Sequence, residues 1–258
     1  MPIQWELDGE IGLATIDRPE RRNALNAELC GELHERLKSN PGLRAVVIAG
    51  SGDKAFCAGA DLGRRAADVG GLSHGGGDTF RPAFEQLLDE IIAYPAPVVA
   101  SVNGAALGAG LQLAVACDLR VAAPGATFGV PAARLGVLLN AANIARLATL
   151  VGQAMARDLL LSARLLDVNE AEQVGLVQRR ANDALGASRA LAAELASLAP
   201  LSLAGHKRAL NLLAEACALT PQVRVELQEL EAGAFASADL QEGLAAFAEK
   251  RPARFSGR

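Results

Sequence analysis

"NGAALGAGLQLA", residues 103–114, decides how this chain is read. It begins as a glycine-rich turn and finishes as an apolar helix. It follows "APVVASVNG" (96–104), whose β-branched run reads as a buried strand. Gly108 and Gly110 flank Ala109, so backbone N–H groups stand open just where a helix begins. Such an end attracts negative charge, because its first N–H groups lack intrahelical partners and the helix dipole is positive there. A phosphate or a developing oxyanion would suit it. Neither GxxxxGK[ST] nor GxGxxG is present, Leu113 standing in the place of the third glycine. The same glycines would equally let the helix pack closely on the preceding strand. The polar side chain one turn into that helix is an amide, Gln112, and not a carboxylate.

A second stretch repeats the pattern. "SGDKAFCAGADL" (51–62) leaves the buried strand "LRAVVIAG" (43–50), turns through glycine and reaches a small residue before Asp61. Two backbone donors from two such turns, converging on one oxygen, make an oxyanion hole.

Outward from these turns, alternation in "IQWEL" and "IGLATID" about Asp8-Gly9 predicts a β-hairpin. Asn26 is a good N-cap for a helix running to about Ser39. Residues 63–80 are glycine-rich without apolar period, which predicts a mobile loop, and a helix follows over about Pro82–Ala93. "DLRVAA" and "ATFGV" read as short strands, and from Ala141 onward the pattern is mostly helical. The expected architecture is α/β, with 1–199 as the core and 200–258 as a helical appendage carrying apolar positions at helical spacing.

The 258 residues are 51% hydrophobic but only 3% aromatic, so the core must be built from Ala, Leu and Val. A net charge of −4 argues against nucleic acid and against electrostatic attachment to an anionic membrane. No apolar run approaches a membrane span, and the N-terminus carries no secretory pattern. Cys30, Cys57, Cys117 and Cys217 are scattered without metal-ligand spacing, which predicts reduced thiols, a cytoplasmic location and no metal site.

"KAFCAGADL" together with "PVVASVNGAALGAGLQLAVACDLRVA" resembles the crotonase, or enoyl-CoA hydratase/isomerase, superfamily. "RPERRNALN" (18–26), "FGVP" (128–131), "EAEQVGLV" (170–177) and "EGLAAFAEKRPARF" (242–255) carry the likeness over nearly the whole chain. The resemblance implies a spiral of ββα turns with a C-terminal helical region that drives assembly into a homotrimer or a dimer of trimers. It implies an acyl-CoA or enoyl-CoA thioester as substrate or ligand, with no further cofactor. The backbone N–H groups of Ala60 and Ala109 would hold the thioester oxygen. Arg22 and Ala24 would hold the pantetheine and phosphate end of CoA, Ala58, Asp61 and Leu62 would be further substrate-binding residues, and Phe247 and Lys250 would meet the CoA of a neighbouring subunit.

The resemblance also locates what is missing. Hydratases of this superfamily split water with two glutamates, whose places are taken here by Gln112 and Ala132. Several isomerases place an Asp where this chain has Asn140. Gln holds water but transfers no proton near neutral pH, and Ala does neither. Each positioned acid or base contributes about 10²–10⁴-fold, so weak or absent hydration is the expectation. The first reading is therefore an acyl-CoA-binding protein of lipid metabolism, and the alternative is an active hydratase or isomerase with non-standard acid/base groups. His74, Asp68 and Asp78 in the glycine-rich stretch are candidates for such groups, as is Glu85. For the loop residues ordinary solvent exposure is the simpler reading, and for Glu85 and Asp89 a solvated helix face is. His34 and His206 read as helix-surface residues. Asp61 and Asp118, beside turns, suit carboxylates that accept backbone hydrogen bonds.

Overall fold

The N-terminal alternation folds as a hairpin, β1 (Ile3–Asp8) antiparallel to β2 (Ile11–Ile16). Gly9, at φ 60°, supplies the positive backbone angle that a two-residue loop needs at its first position. The computed structural model describes residues 2–61, 79–216 and 221–256. Asn26 caps α1 (Ala27–Lys38), its side-chain oxygen accepting from the Leu29 N–H at 2.9 Å. The buried face of α1 is Leu29, Cys30, Leu33 and Leu37, the 3–4 spacing of an amphipathic helix.

Two sheets position everything else. β3 (Ala45–Gly50), β5 (Val98–Val102), β7 (Leu119–Ala122) and β10 (Arg179–Arg180) extend the hairpin into a six-stranded sheet, order β1-β2-β3-β5-β7-β10, parallel from β2 onward. β4 (Ala55–Cys57), β6 (Ala105–Leu107), β8 (Thr127–Gly129) and β9 (Leu165–Asp167) form a second sheet in that order. β4, β6 and β8 run parallel, and β9 closes the edge antiparallel. Every residue of β5 is buried, as a central parallel strand covered on both faces requires. The three-residue strand β6 between Asn103 and Gly108 departs from the simple strand–turn–helix reading: "AAL" pairs with both β4 and β8.

The helices that follow are α2 (Phe80–Ala93), α3 (Ala109–Ala116) and α4 (Ala141–Ser162), the last kinked at Gly152, φ 78°. α2 begins two residues before the expected Pro82, and Phe80 stacks on Phe84 at 5.3 Å between ring centroids. The remaining α-helices among the described residues are α5 (Val168–Gln173), α6 (Ala184–Ala196), α7 (Pro200–Ala216), α8 (Pro221–Ala236) and α9 (Ala238–Ala248). α7 is fastened by Lys207, whose ammonium donates to the Asp118 carboxylate at 2.7 Å and to the Ile91 and Ala96 carbonyls. Asp118 also accepts from the Val98 N–H at 2.7 Å, as a carboxylate beside a turn should. Arg120, buried, donates to carbonyls of Ala114, Cys117 and Leu176, closing the C-terminal end of α3.

Cys30, Cys57 and Cys117 are free and buried. His206 is exposed, but His34 is half-buried, its Nδ1 enclosed without a partner among the described residues. No helix among the described residues is long and apolar enough to cross a membrane. No cluster of His, Cys, Asp and Glu suited to a metal occurs among them.

Candidate functional site

β4 and β6 are parallel neighbours, so both chains leave the second sheet at the same edge, and each leaves through a glycine turn. Gly59 and Gly108 both have positive φ, 115° and 55°, which a side chain would strain. Gly110 allows the closest approach: a β-carbon there would lie 1.9 Å from the Cys57 carbonyl oxygen. Only glycine lets the first turn of α3 sit directly on the end of β4. A β-carbon on Gly59 would come within 3.8 Å of the Ala109 nitrogen, so the two turns are in contact.

The segment after β2 holds the first turn in place. Ala58 N–H donates to Arg22, Leu25 N–H to the Gly59 carbonyl at 2.8 Å, and Asp61 N–H to the Leu25 carbonyl at 2.7 Å. In this parallel bridge between Leu25 and Ala60, the N–H of Ala60 faces away from its partner segment. Asn23, fully buried, adds side-chain bonds to the Ser51 and Ala55 carbonyls. Asp61 is held by Arg18 at 3.0 Å and Arg21 at 3.3 Å, so its carboxylate anchors the turn through arginines where backbone donors were expected. Ala109 is the first residue of α3, where N–H groups lack helical partners. Neither the Ala60 nor the Ala109 N–H is paired with an acceptor among the described residues.

Both turns open on one cleft. Ala58, Gly59, Ala60, Gly108 and Ala109 form one side of it, and Phe80, Phe84, Leu135 and Leu139 supply apolar walls. Gln112, Ala132 and Asn140 all reach this cleft, although they come from α3, the 3-10 turn Pro131–Leu135 and the N-cap of α4. Asn140 is held at both ends: its oxygen accepts from the Asn143 N–H, and its amide donates to the Glu85 carboxylate at 2.8 Å. Glu85 therefore belongs to the cleft, correcting its assignment to a solvated helix face; α2 turns this residue inward beside Phe84. Asp89, one turn on, is exposed and pairs with Arg146 at 3.4 Å. Asn143 and Arg146 carry no short-range signal in the sequence. Asn143 donates to the Gln112 carbonyl oxygen at 2.5 Å, and Arg146 donates to the Asn143 carbonyl oxygen at 2.6 Å.

The other expected ligand residues lie elsewhere. Arg22, φ 51°, borders a separate hollow of about 610 Å³ with Lys54, Glu20 and Asp53. Ala24 accepts an Arg18 hydrogen bond through its carbonyl. Phe247 is 59% exposed near the end of α9, and Lys250 is exposed just beyond it. Leu62, Asp68, His74, Asp78 and Cys217 fall outside the described residues.

Two packed sheets, glycine turns leaving adjacent parallel strands and a helical C-terminal region define a crotonase-like α/β protein. The sequence model for enoyl-CoA hydratase/isomerase matches residues 6–258. The chain belongs to the enoyl-CoA hydratase/isomerase family. It is 41% identical over 248 residues to the probable enoyl-CoA hydratase echA6 of Mycobacterium tuberculosis, 94% of each chain being covered. An enoyl-CoA hydratase/isomerase from Pseudoalteromonas atlantica T6c superposes with TM-score 0.85 at 34% identity, covering 99% of this chain and all of that one. Methylmalonyl-CoA decarboxylase complexed with 2S-carboxypropyl-CoA superposes with TM-score 0.89 at 25% identity, covering 100% and 99%.

Proposed function

We propose that this protein binds fatty acyl-CoA thioesters in lipid metabolism, holding the thioester oxygen on the N–H groups of Ala60 and Ala109, with weak or absent hydratase activity. The observation that carries the reading is the meeting of two glycine turns on one largely apolar cleft, with both N–H groups unpaired among the described residues. Family membership supplies acyl-CoA as the ligand class. Gln112, Ala132 and Asn140 stand where a hydratase or isomerase would carry its acids and bases. None of the three transfers a proton near neutral pH.

The CoA end is assigned to Arg22 and Ala24, with Phe247 and Lys250 reaching it from a neighbouring subunit of a trimer, and Ala58, Asp61 and Leu62 are assigned to substrate binding. The hollow beside Arg22 and Lys54 supports the part of Arg22 in this assignment. On the same basis residues 1–199 form the binding core and 200–258 the assembly region. Isotope-edited infrared spectroscopy of a bound acyl-CoA tests the oxygen-binding claim. Two donors about 3 Å from the thioester oxygen lower its carbonyl stretching frequency relative to water. An unshifted band in a saturated complex would remove the oxyanion reading.

A second reading has one observation in its favour. Glu85 brings a carboxylate into the cleft, fixed by Asn140. If the protein is a working hydratase or isomerase, Glu85 is the residue that moves the proton, and Glu85→Gln removes activity by about 10²–10⁴-fold.

A further inference from the structure

The hydrogen-bond chain that ends at Gln112 has a direction. A guanidinium only donates, so Arg146 at 2.6 Å requires the carbonyl oxygen of Asn143. Asn143, 7% exposed, is thereby oriented with its NH₂ toward Gln112. That NH₂ in turn requires the carbonyl oxygen of Gln112. The Gln112 NH₂ is then the end of the amide left without a hydrogen-bond partner among the described residues, a donor with no acceptor role. The side chain lines the cleft one helical turn beyond Ala109, and side chains at this spacing share a helix face and lean toward the N-terminus. Three residues rise about 4.5 Å along the helix, which sets Gln112 deeper along the cleft than the Ala109 N–H.

We propose that Arg146 is a positioning residue that fixes Gln112 as a hydrogen-bond donor, and that the cleft thereby favours acyl-CoA thioesters carrying an oxygen on C3 over saturated or 2-enoyl chains. The proposal rests on the thioester-binding reading above. With the thioester oxygen on the Ala109 N–H, C3 lies two bonds beyond the carbonyl carbon, at the depth of Gln112. A C3 keto oxygen only accepts, which complements a group that only donates. A C3 hydroxyl oxygen also accepts. A 2-enoyl or saturated C3 leaves the Gln112 NH₂ desolvated and unpaired.

Calorimetric titration with saturated, 2-enoyl, 3-hydroxyacyl and 3-oxoacyl-CoA of one chain length tests this, using the full chain. Both C3-oxygenated ligands are expected to bind about three- to tenfold more tightly than the saturated one, the value of one neutral hydrogen bond. The variants are judged by the ratio of dissociation constants within each protein, which a general loss of folding or of CoA affinity leaves unchanged. Arg146→Met frees Asn143 and Gln112 to turn over, and the ratio falls toward one. Arg146→Lys, which still only donates, retains it. Gln112→Glu replaces the donor by an acceptor, so 3-oxoacyl-CoA loses its advantage while 3-hydroxyacyl-CoA, able to donate, keeps its own. Equal affinities for all four ligands in the wild type, or a ratio unmoved in Arg146→Met, would overturn the proposal while leaving thioester binding intact. Failure of every acyl-CoA to bind would instead overturn the reading on which it rests.

Discussion

Gly110 carries the junction between the two halves of the site, because the Cys57 carbonyl occupies the space a β-carbon would need. Gly110→Ala forces α3 away from β4 and should cost about 2 kcal/mol or more, as overpacking of a rigid contact does; urea unfolding measures it. Burial raises the Cys57 and Cys117 thiols from about 9 to about 12 and pushes Cys30 up as well. A thiol whose native pKa is raised stays protonated while the unfolded chain ionises. Stability should therefore be unaffected by these groups below pH 9 and fall as pH rises from about 9 to about 12, by up to about 1.4 kcal/mol per pH unit and thiol. The same thiols should resist alkylation at pH 8 until the protein unfolds, whereas rapid native-state labelling of Cys57 would contradict its burial. At this scale the glycines were legible from the turns they make, and Gln112, Ala132 and Asn140 through the family resemblance, which sets each at a fixed offset from a turn or proline. Asn143 and Arg146 were not, because their role depends on α4 packing across α3, and nothing within a few residues of them signals that contact.

Among the elements, α7 is joined to the core by one cation reaching three acceptors and by the Asn211 amide, which donates to the Ile92 carbonyl at 3.0 Å. Lys207→Met leaves the Asp118 carboxylate without its counter-ion. Asp118 is already held above the usual carboxylate range by burial, against the pull of Lys207. The loss should be on the order of 2 kcal/mol, below that of a fully buried pair, because the Asp118 side chain is 28% exposed. The sign with pH follows: a raised carboxyl costs stability once ionised, so the deficit of Lys207→Met should narrow as pH falls and Asp118 takes up a proton. A deficit independent of pH would mean that packing, not charge, holds α7. The hairpin, α1 and the buried strands were legible from alternation, capping and β-branched runs, which are local properties. The strand β6 was not, since three residues give no period. Its existence depends on β4 and β8 arriving on either side.

For the whole molecule, the described part of α7 exposes Leu201 at 88%, Leu210 at 68% and Leu213 at 67%, and α8 exposes Leu230 at 56%. That is more apolar surface than an isolated helical appendage ordinarily leaves in water. Sedimentation equilibrium at micromolar concentration should give a trimer or a multiple of it, and Leu210→Asp with Leu213→Asp should shift the population toward monomer. A wild-type monomer would remove the assembly role given to residues 200–258. The helical C-terminal third was legible in the sequence from Ala141 onward. The cleft itself was legible only in part, because its walls come from segments as distant as Phe80 and Phe235.

The central claim, an acyl-CoA site whose water-splitting groups are absent, is tested most directly by hydration of crotonyl-CoA. The wild type should turn over orders of magnitude more slowly than about 10 s⁻¹, the median enzyme rate. Gln112→Glu with Ala132→Glu should raise the rate more than the two single changes combined, since both carboxylates act on one water. A wild-type rate of tens per second would contradict the account and pass the proton transfer to Glu85.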